Sequence, residues 1–405
     1  MPEEESRPAS ATETGGDLQS PSASVLNGNS RGPDVEEEEY GPSERITEPF
    51  DPTLIRVESR TITLDLLLAR IREDEIDLKP GFQRRAGIWK DEAQSRLIES
   101  ILIRIPIPAF YMDATNDERW LVVDGLQRLT SIKRFVVDKS LKLVGLEFLT
   151  HLEGKTFAGL PRNFQRRISE TQITAYLIEK GTPPEVKFNI FKRINTGGLP
   201  LSSQEIRHAL NQGAAPRILE RLADSDEFKK ATNYSIPSER MADREFALRY
   251  LAFMVRPYTE YKVKDFDGFL NSTMAEINRL AATDPAQLEL FEKSFGRAMR
   301  AAHAIFGKDA FRKRLRRGDR RKPINRALFE SLSVNLAKLS EEDVRTLIVR
   351  KESVKDSLIA LTNTSFVEAI SQSTGDTSKV STRFSKIELL LRGVIHDQQA
   401  PSAQL

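Results

Sequence analysis

The sequence predicts a mixed α/β domain, with a small sheet and surrounding helices, followed by a mainly helical domain. Two observations support this fold class. Short apolar strands alternate with amphipathic helices over the first part of the chain, and from about residue 215 onward the apolar spacing is helical almost throughout. We place the α/β domain at residues 51–235 and the helical domain at 236–396, between a disordered acidic tail (1–50) and a flexible end (397–405).

Charge is divided unevenly along the chain. Residues 1–50 hold twelve acidic and three basic side chains, a net charge of −9, whereas residues 51–405 carry a net charge of +11. The tail is rich in Glu, Ser, Pro and Gly and has almost no apolar residues, so it cannot offset the entropy cost of ordering. This asymmetry indicates a polyanionic partner. We expect the tail to compete with DNA for the basic surface of the body.

Composition excludes several kinds of site. The chain has no cysteine, which rules out disulfides, a thiolate nucleophile and a cysteine-ligated zinc or iron–sulfur centre. An acidic start is the reverse of a signal peptide, and no apolar run is long enough to cross a membrane. We therefore expect a soluble, cytoplasmic protein with no membrane partner. The histidines are scattered without metal-ligand spacing: His151, His208, His303 and His396.

Local patterns predict the elements of the α/β domain. Thr63 or Asp65 begins a short helix, and Asp91 caps a longer one, with Gln94 in the capping-box position. Strands are predicted at Ile107–Met112, Trp120–Val123 and Ile173–Ile178.

Helices account for most of the remaining chain. The dipeptide Asp124-Gly125 leads into a helix, and another begins at Pro184 and stops at Gly197-Gly198. Ser202 and Glu205 form a capping box for a helix that ends at Leu210. The clearest helices beyond it are Arg244–Val255, Leu288–Ile305 and Ile387–Ile395.

The turn after the Trp120–Val123 strand is the most chemically suggestive feature. A helix N-terminus presents free N–H groups and about half a positive charge, which suits a phosphate. Gly125 allows close approach to the backbone, and Arg128 can fork onto phosphate oxygens. Asp124 can hold Mg²⁺ or orient a water, which Gln127 can position. An ordinary turn, capped by Asp124 and with Arg128 in solvent, explains the same residues, and five residues alone favour it.

Longer blocks resemble a known family. Residues 82–108 and 120–132 closely resemble the N-terminal domain of the GmrSD restriction enzymes, which belongs to the ParB/sulfiredoxin-like superfamily. Residues 191–210 match a second block, and residues 243–249 are a weaker third match. The resemblance implies a ParB-like core in which an Asp-Gly-Gln-Gln-Arg motif binds and hydrolyses a nucleotide.

The resemblance also implies roles for individual residues. Asp124, Gln127 and Arg128 would be catalytic, whereas the first Gln of the motif is Leu126 here. If that position contacts the nucleotide, hydrolysis is in doubt; if it faces the core, leucine is harmless. Arg84 would lie near the nucleotide. A glycine-rich loop either lines the site or simply joins two helices, and the candidate residues of this loop are Asn195, Gly197 and Gly198. In the helix that follows, we expect Arg207 to reach the cleft and His208 to be a polar surface or rim residue rather than a catalytic base.

Residues 312–326 are the densest basic run, with nine basic residues and one acidic residue. Such density suits DNA phosphates, although a solvated charged loop has the same composition. The candidate DNA-binding residues are Arg312, Lys313, Arg314, Arg316, Arg317, Arg320, Arg321 and Lys322.

Three functional hypotheses follow. The first is a nucleotide-binding, NTP-hydrolysing, DNA-associated protein with Mg²⁺ at Asp124, which acts as the sensing or regulatory half of a modification-dependent restriction system. Relatives often carry a C-terminal His-Asn-His nuclease domain, which the scattered histidines do not supply, so cleavage would fall to a partner nuclease. The second is a DNA-binding protein without hydrolysis, and the third is a weak Mg²⁺-dependent nuclease. The sequence leaves open the nucleotide, the DNA feature and whether the chain forms a homo-oligomer.

Overall fold

The structure, a computed structural model, describes residues 35–36, 55–78, 89–194, 201–262 and 265–396. Five strands form one sheet: β1 (Val57–Thr63), β2 (Ile76–Asp77), β3 (Phe110–Asp113), β4 (Trp120–Asp124) and β5 (Gln172–Ile178). Their order in the sheet is β1-β5-β3-β4-β2. The pairs β1–β5 and β3–β4 are antiparallel, whereas β3–β5 and β2–β4 are parallel, so the sheet is mixed.

Six helices accompany the sheet: α1 (Leu64–Arg72), α2 (Asp91–Leu102), α3 (Leu126–Val136), α4 (Arg162–Glu170), α5 (Pro184–Ile194) and α6 (Ser203–Leu210). Side chains alternate across a strand, so β3 buries Phe110 and Met112 in the main core with Leu129 of α3. On the opposite face Val123 of β4 packs with Phe188 of α5 and with α6. The sheet thus lies between two layers of helices.

The second half is helical: α7 (Ala214–Asp224), α8 (Asp226–Ala231), α9 (Ala242–Val255), α10 (Phe266–Thr283), α11 (Pro285–Phe306), α12 (Arg326–Lys338), α13 (Glu341–Val349), α14 (Lys351–Thr362), α15 (Phe366–Ala369) and α16 (Thr377–His396). Its centre contains a buried ion-pair cluster. Glu330 of α12 accepts hydrogen bonds from Arg383 of α16 at 2.9 Å and from Arg249 of α9 at 3.3 Å. These charges are excluded from water, so the three helices depend on one another for neutralisation.

The predicted fold class, an α/β part followed by a helical part, is confirmed. The capping box of α6 is confirmed as well, because the Ser202 N–H donates to Glu205 at 2.6 Å and the Glu205 N–H donates to the Ser202 hydroxyl at 3.1 Å. The predicted stop at Gly197-Gly198 lies outside the described residues. The domain boundaries remain predictions.

One local prediction is wrong, and another has the right element with the wrong bounds. Lys90, rather than Asp91, is the N-cap of α2, and Asp91 pairs with Arg134 of α3 at 2.6 Å. The strand predicted at Ile107–Met112 spans Phe110–Asp113, and two prolines, which have no N–H to donate to a ladder, occur just before it. Strands β1 and β2 and helix α4 escaped prediction because their apolar patterns are short.

Candidate functional site

Asp124 is the last residue of β4 and completes a row of polar groups across the sheet. It lies opposite Tyr111 of β3, which in turn lies beside Tyr176 of β5. The two tyrosine rings stack with their centroids 4.9 Å apart. Burial raises the pKa of Tyr111, and the neighbouring Tyr176 and the charge of Asp124 raise it further. The β3–β4 register shifts between Tyr111 and Met112, and Tyr111 also packs against the apolar cluster of Val123 and Phe188. Three strands therefore contribute to the surroundings of Asp124.

Arg128, in the first turn of α3, is held by the protein itself. Its side chain is only 10% exposed. The guanidinium donates to Asp124 Oδ2 at 2.7 Å, to the carbonyl of Ala109 at 3.2 Å and to the carbonyl of Pro108. It also lies over the ring of Phe110, 4.6 Å from the centroid. Arg128 therefore ties the turn to the chain that enters β3.

Burial governs the electrostatics of this pair. It raises the pKa of Asp124, an effect that Arg128 and the Gly125 N–H oppose. It lowers the pKa of Arg128, opposed in turn by Asp124. The carboxylate and the guanidinium form a largely buried ion pair, so removal of either leaves the other poorly compensated.

Gly125 is required by the fold at this turn. Its φ is +98°, a left-handed conformation that favours glycine. A Cβ at this position would lie 2.3 Å from Phe110 Cδ1 and 3.3 Å from Arg128 Nη2. The direction in which the sequence predicted close approach of a ligand is thus filled by the chain's own side chains.

The middle of the motif divides between core and surface. Leu126 is buried and packs with Leu129 in the main core, so the residue that replaces the first Gln of the family motif faces inward. Gln127 is half-buried, and its Oε1 accepts the N–H of Trp89 at 3.3 Å. Asp124, with 25% of its side chain exposed, and Gln127 are the motif side chains that solvent reaches.

Four predicted nucleotide-binding residues, Arg84, Asn195, Gly197 and Gly198, lie outside the described residues. Described neighbours of these segments lie at the motif. Trp89 bonds to Gln127, and Phe191, near the end of α5, packs in one cluster with Val123 of β4.

The two α6 side chains predicted at the cleft and its rim point elsewhere. Arg207 is 1% exposed and donates to Asp267 of α10 and, at 3.2 Å, to Gln204. His208 is 8% exposed, and burial, together with Arg244, lowers its pKa to about 4. Both predictions are wrong because the helical half covers this face of α6.

The basic run is less open than its sequence indicates. Arg312 is 2% exposed and donates to the hydroxyl of Ser235 at 2.8 Å. Four others have acidic partners: Lys313 contacts Glu36, Arg314 contacts Asp309, Arg317 pairs with Asp356, and Arg326 lies 3.5 Å from Glu245. Within the described part of the chain, the members of the run without an ion pair are Arg316, Arg320 and Arg321, all exposed, and the half-buried Lys322.

The fold and the site define an α/β domain that presents a strand, an Asp-Gly turn and a helix N-terminus beside a pair of stacked tyrosines. Residues 65–211 match the family model described as the GmrSD restriction endonuclease, N-terminal domain. This range runs from α1 through α6 and contains the motif, so the resemblance predicted from the sequence is confirmed over these residues. The matched domain relates the chain to restriction systems. Comparison with curated proteins and with solved structures gave no significant match.

Two absences, both confined to the described residues, complete the picture of the site. These residues contain no cluster of three or more His, Asp or Glu side chains arranged to hold a metal ion. Nor do they include a helix with the length and apolar character needed to span a bilayer.

Sequence reasoning missed the tyrosine pair beside Asp124. Tyr111 alternates with the buried Phe110 and Met112, and Tyr176 alternates with Ala175 and Leu177. That alternation of phenols with core residues was the available signal, but only the strand pairing brings the two rings together.

Proposed function

We propose that this chain is a nucleotide-binding, NTP-hydrolysing, DNA-associated component of a restriction system, with strand cleavage performed by a partner nuclease. One observation carries the proposal: within the matched domain, the solvent-accessible Asp124 and Gln127 flank the N-terminus of α3. Free N–H groups at that terminus favour an anion, and the two side chains supply a carboxylate and an amide beside it.

The contacts assign different tasks to the motif residues. Gln127 would orient the attacking water, and Asp124 would hold Mg²⁺ or that water. Arg128 would act by fixing the Asp124 carboxylate rather than by touching phosphate, since its own donors reach Asp124 and two carbonyls. The phosphates would then rely on the N–H groups of α3 and on Arg84, Asn195, Gly197 and Gly198.

A Mg²⁺ ion fits this arrangement if Asp124 and the nucleotide phosphates coordinate it together. Mg²⁺ keeps several waters and is usually held by one or two carboxylates together with substrate phosphates. The site offers one carboxylate, Asp124, and two of its lone-pair directions serve Arg128 and the Gly125 N–H. A carboxylate has about four acceptor sites, so capacity for a metal or a metal-bound water remains. When bound, the ion would neutralise charge on the phosphates.

DNA association would use the open part of the basic run. Arg316, Arg320, Arg321 and Lys322 have no ion pair among the described residues, so a phosphate need not displace an acidic side chain. Contacts of this kind are independent of sequence and weaken with salt.

A second candidate, nucleotide-gated DNA binding without hydrolysis, is favoured by the commitment of Arg128 to internal acceptors. Phosphoryl transfer depends on cations that stabilise the charge of the transition state, and Arg128 is the one cation of the described motif.

Phosphate release from each of the four NTPs, with and without duplex DNA, separates the candidates. We expect hydrolysis by the wild type, a loss of at least about 100-fold in Asp124→Asn and Gln127→Ala, and a normal rate in Asp138→Asn. Asp138 forms an exposed pair with Lys133 at the far end of α3, 2.7 Å apart, and is a matched control. Equal rates in all four proteins would overturn the proposal that the motif hydrolyses NTPs. Nucleotide binding without turnover would instead support nucleotide-gated DNA binding without hydrolysis.

A further inference from the structure

Two residues of the acidic N-terminal segment lie on the basic run. Val35 forms a parallel β-bridge with Ile324, and the Glu36 N–H donates to the Ile324 carbonyl at 2.9 Å. Ile324 is itself bridged on its other side to Arg312. A short extended piece of the N-terminal segment thus adds to an existing pair of extended segments, as peptides do in β-augmentation.

The side chains reinforce this backbone pairing. The Glu36 carboxylate contacts the Lys313 ammonium and accepts from Asn325 Nδ2 at 3.1 Å, while the Glu36 carbonyl accepts from Arg326 at 2.7 Å. Val35 packs against the helical core. We name these four partners, Lys313, Ile324, Asn325 and Arg326, the anchor surface.

The anchor surface is polarised for an acidic, extended peptide. It offers the Lys313 ammonium, the Arg326 guanidinium, which also lies 3.5 Å from Glu245, one amide donor and the backbone edge of Ile324, and Lys313 is only 13% exposed in the presence of Glu36. In the sequence, Asp34 directly precedes this pair of residues and three further glutamates follow it, whereas Arg320, Arg321 and Lys322 precede Ile324 with one proline between. Opposite charges therefore flank the two bridged residues in the sequence, which favours this pairing over others.

We infer that Val35 and Glu36 anchor the acidic segment as an intramolecular ligand of the basic run, and that this contact competes with any polyanion that approaches the run. A covalently linked ligand acts at an effective concentration in the millimolar range for a flexible linker. A weak contact is therefore sufficient to keep the anchor surface covered. Release of the segment adds Lys313 and the Arg326 donor that Glu36 occupies to the neighbouring arginines, which are already exposed. The inference rests on the proposed DNA association only where DNA is the competitor.

A designed disulfide tests the contact directly. The chain has no cysteine, so Val35→Cys with Ile324→Cys introduces its only thiols. Bridged residues on neighbouring strands lie close enough for a disulfide. We expect efficient cross-linking on mild oxidation, seen as a mobility shift on a non-reducing gel, and no shift for Val35→Cys paired with Ser381→Cys. Absence of the cross-link would overturn the contact.

Peptide binding then tests whether Val35 and Glu36 occupy the anchor surface in the full chain. The probe is a fluorescent peptide with the sequence of residues 33–40, added to the full chain. We expect binding at least about tenfold tighter in Val35→Asp/Glu36→Lys than in the wild type, because the internal competitor is lost. The matched control Glu5→Lys/Val25→Asp changes charge and polarity elsewhere in the N-terminal segment and should bind like the wild type. Equal affinity in all three proteins would overturn the inference, as would tight binding that survives Lys313→Glu in the released variant.

A DNA arm separates this inference from the proposed function. A labelled 20-base-pair duplex, titrated at low salt, should bind about tenfold tighter to Val35→Asp/Glu36→Lys than to the control, and weaker to the oxidised than to the reduced cysteine pair. No DNA binding by any protein, with the peptide result intact, would remove the DNA association and keep the anchor. Equal DNA binding by the oxidised and reduced forms would show that the acidic segment does not compete with DNA for the basic run.

Discussion

The two charged regions of this chain differ in what their charges face. At the strand–turn–helix motif, Arg128 and Asp124 neutralise each other inside the fold, and solvent reaches mainly Asp124 and Gln127. The basic run contains both kinds of cation: Arg312 is buried, Lys313, Arg314 and Arg317 have acidic partners, and Arg320 is exposed without one among the described residues. The same residue type therefore stabilises the fold in one region and remains available to a ligand in the other.

This difference shows how to interpret a charged motif. An arginine that follows an Asp-Gly turn suggests phosphate binding, but the acceptors within its reach decide its role. Arg128 reaches two carbonyls of the chain before β3, whereas Arg316, Arg320 and Arg321 reach no acidic partner among the described residues. An arginine whose N–H donors are bonded within the fold positions other groups. An exposed arginine whose donors have no protein partner remains available to a ligand.

The largest expected effect is on stability, and it tests the contrast between the internally bonded Arg128 and an exposed arginine of the basic run. Arg128→Ala leaves Asp124 without its partner and two carbonyls without a donor, so the free energy of unfolding should fall by about 3–5 kcal/mol. Arg317→Ala removes an exposed pair with Asp356, 2.5 Å apart with both side chains more than half exposed, and should leave the midpoint almost unchanged. Urea denaturation of both variants measures the difference. Equal losses would mean that the two regions do not differ in the way proposed.

The unit β3–β4–α3 was predictable because its signals are local. A continuous apolar run, Trp120–Val123, marks β4, and the Asp-Gly turn and the spacing of Leu126 and Leu129 mark α3. The contacts of Arg128 were not predictable, because its carbonyl acceptors come from residues about twenty positions earlier and their placement depends on sheet pairing. The burial of His208 likewise depends on packing against the helical half. Composition indicated the attraction between tail and body, but not that Val35 would pair with Ile324.

The second effect concerns His208 and depends on pH. Burial and Arg244 lower its folded pKa from 6.5 to about 4, so the unfolded chain takes up a proton first as the pH falls. The contribution of the neutral imidazole is complete above pH 6.5 and is lost as the pH falls towards 4. The loss amounts to about 3 kcal/mol.

Urea denaturation between pH 7 and pH 4 measures this dependence. We expect His208→Gln to lack this part of the decline in the free energy of unfolding. The control His151→Gln removes an exposed imidazole, keeps His208 and should follow the wild type. An unchanged pH dependence in His208→Gln would show that water reaches the imidazole and that the helical half covers α6 less completely than described.

The smallest effect should appear in binding and not in folding. Replacement of Arg316, Arg320 and Arg321 by alanine removes three open cations from the basic run. Removal of one phosphate-binding cation lowers the slope of log affinity against log salt by about one unit, so DNA binding should weaken and become less sensitive to salt. The matched control replaces three exposed cations elsewhere, Arg162, Arg166 and Lys293, with the same change in net charge.

The two triple variants distinguish a localised interface from general attraction to a basic body. If the slope falls equally in both, DNA responds to total charge, and the basic run has no special role. If the slope falls only in the first while its urea midpoint matches the wild type, the open arginines bind phosphate and contribute nothing to the fold. That outcome would be the reverse of the one expected for Arg128, whose replacement should lower stability whether or not a nucleotide is present.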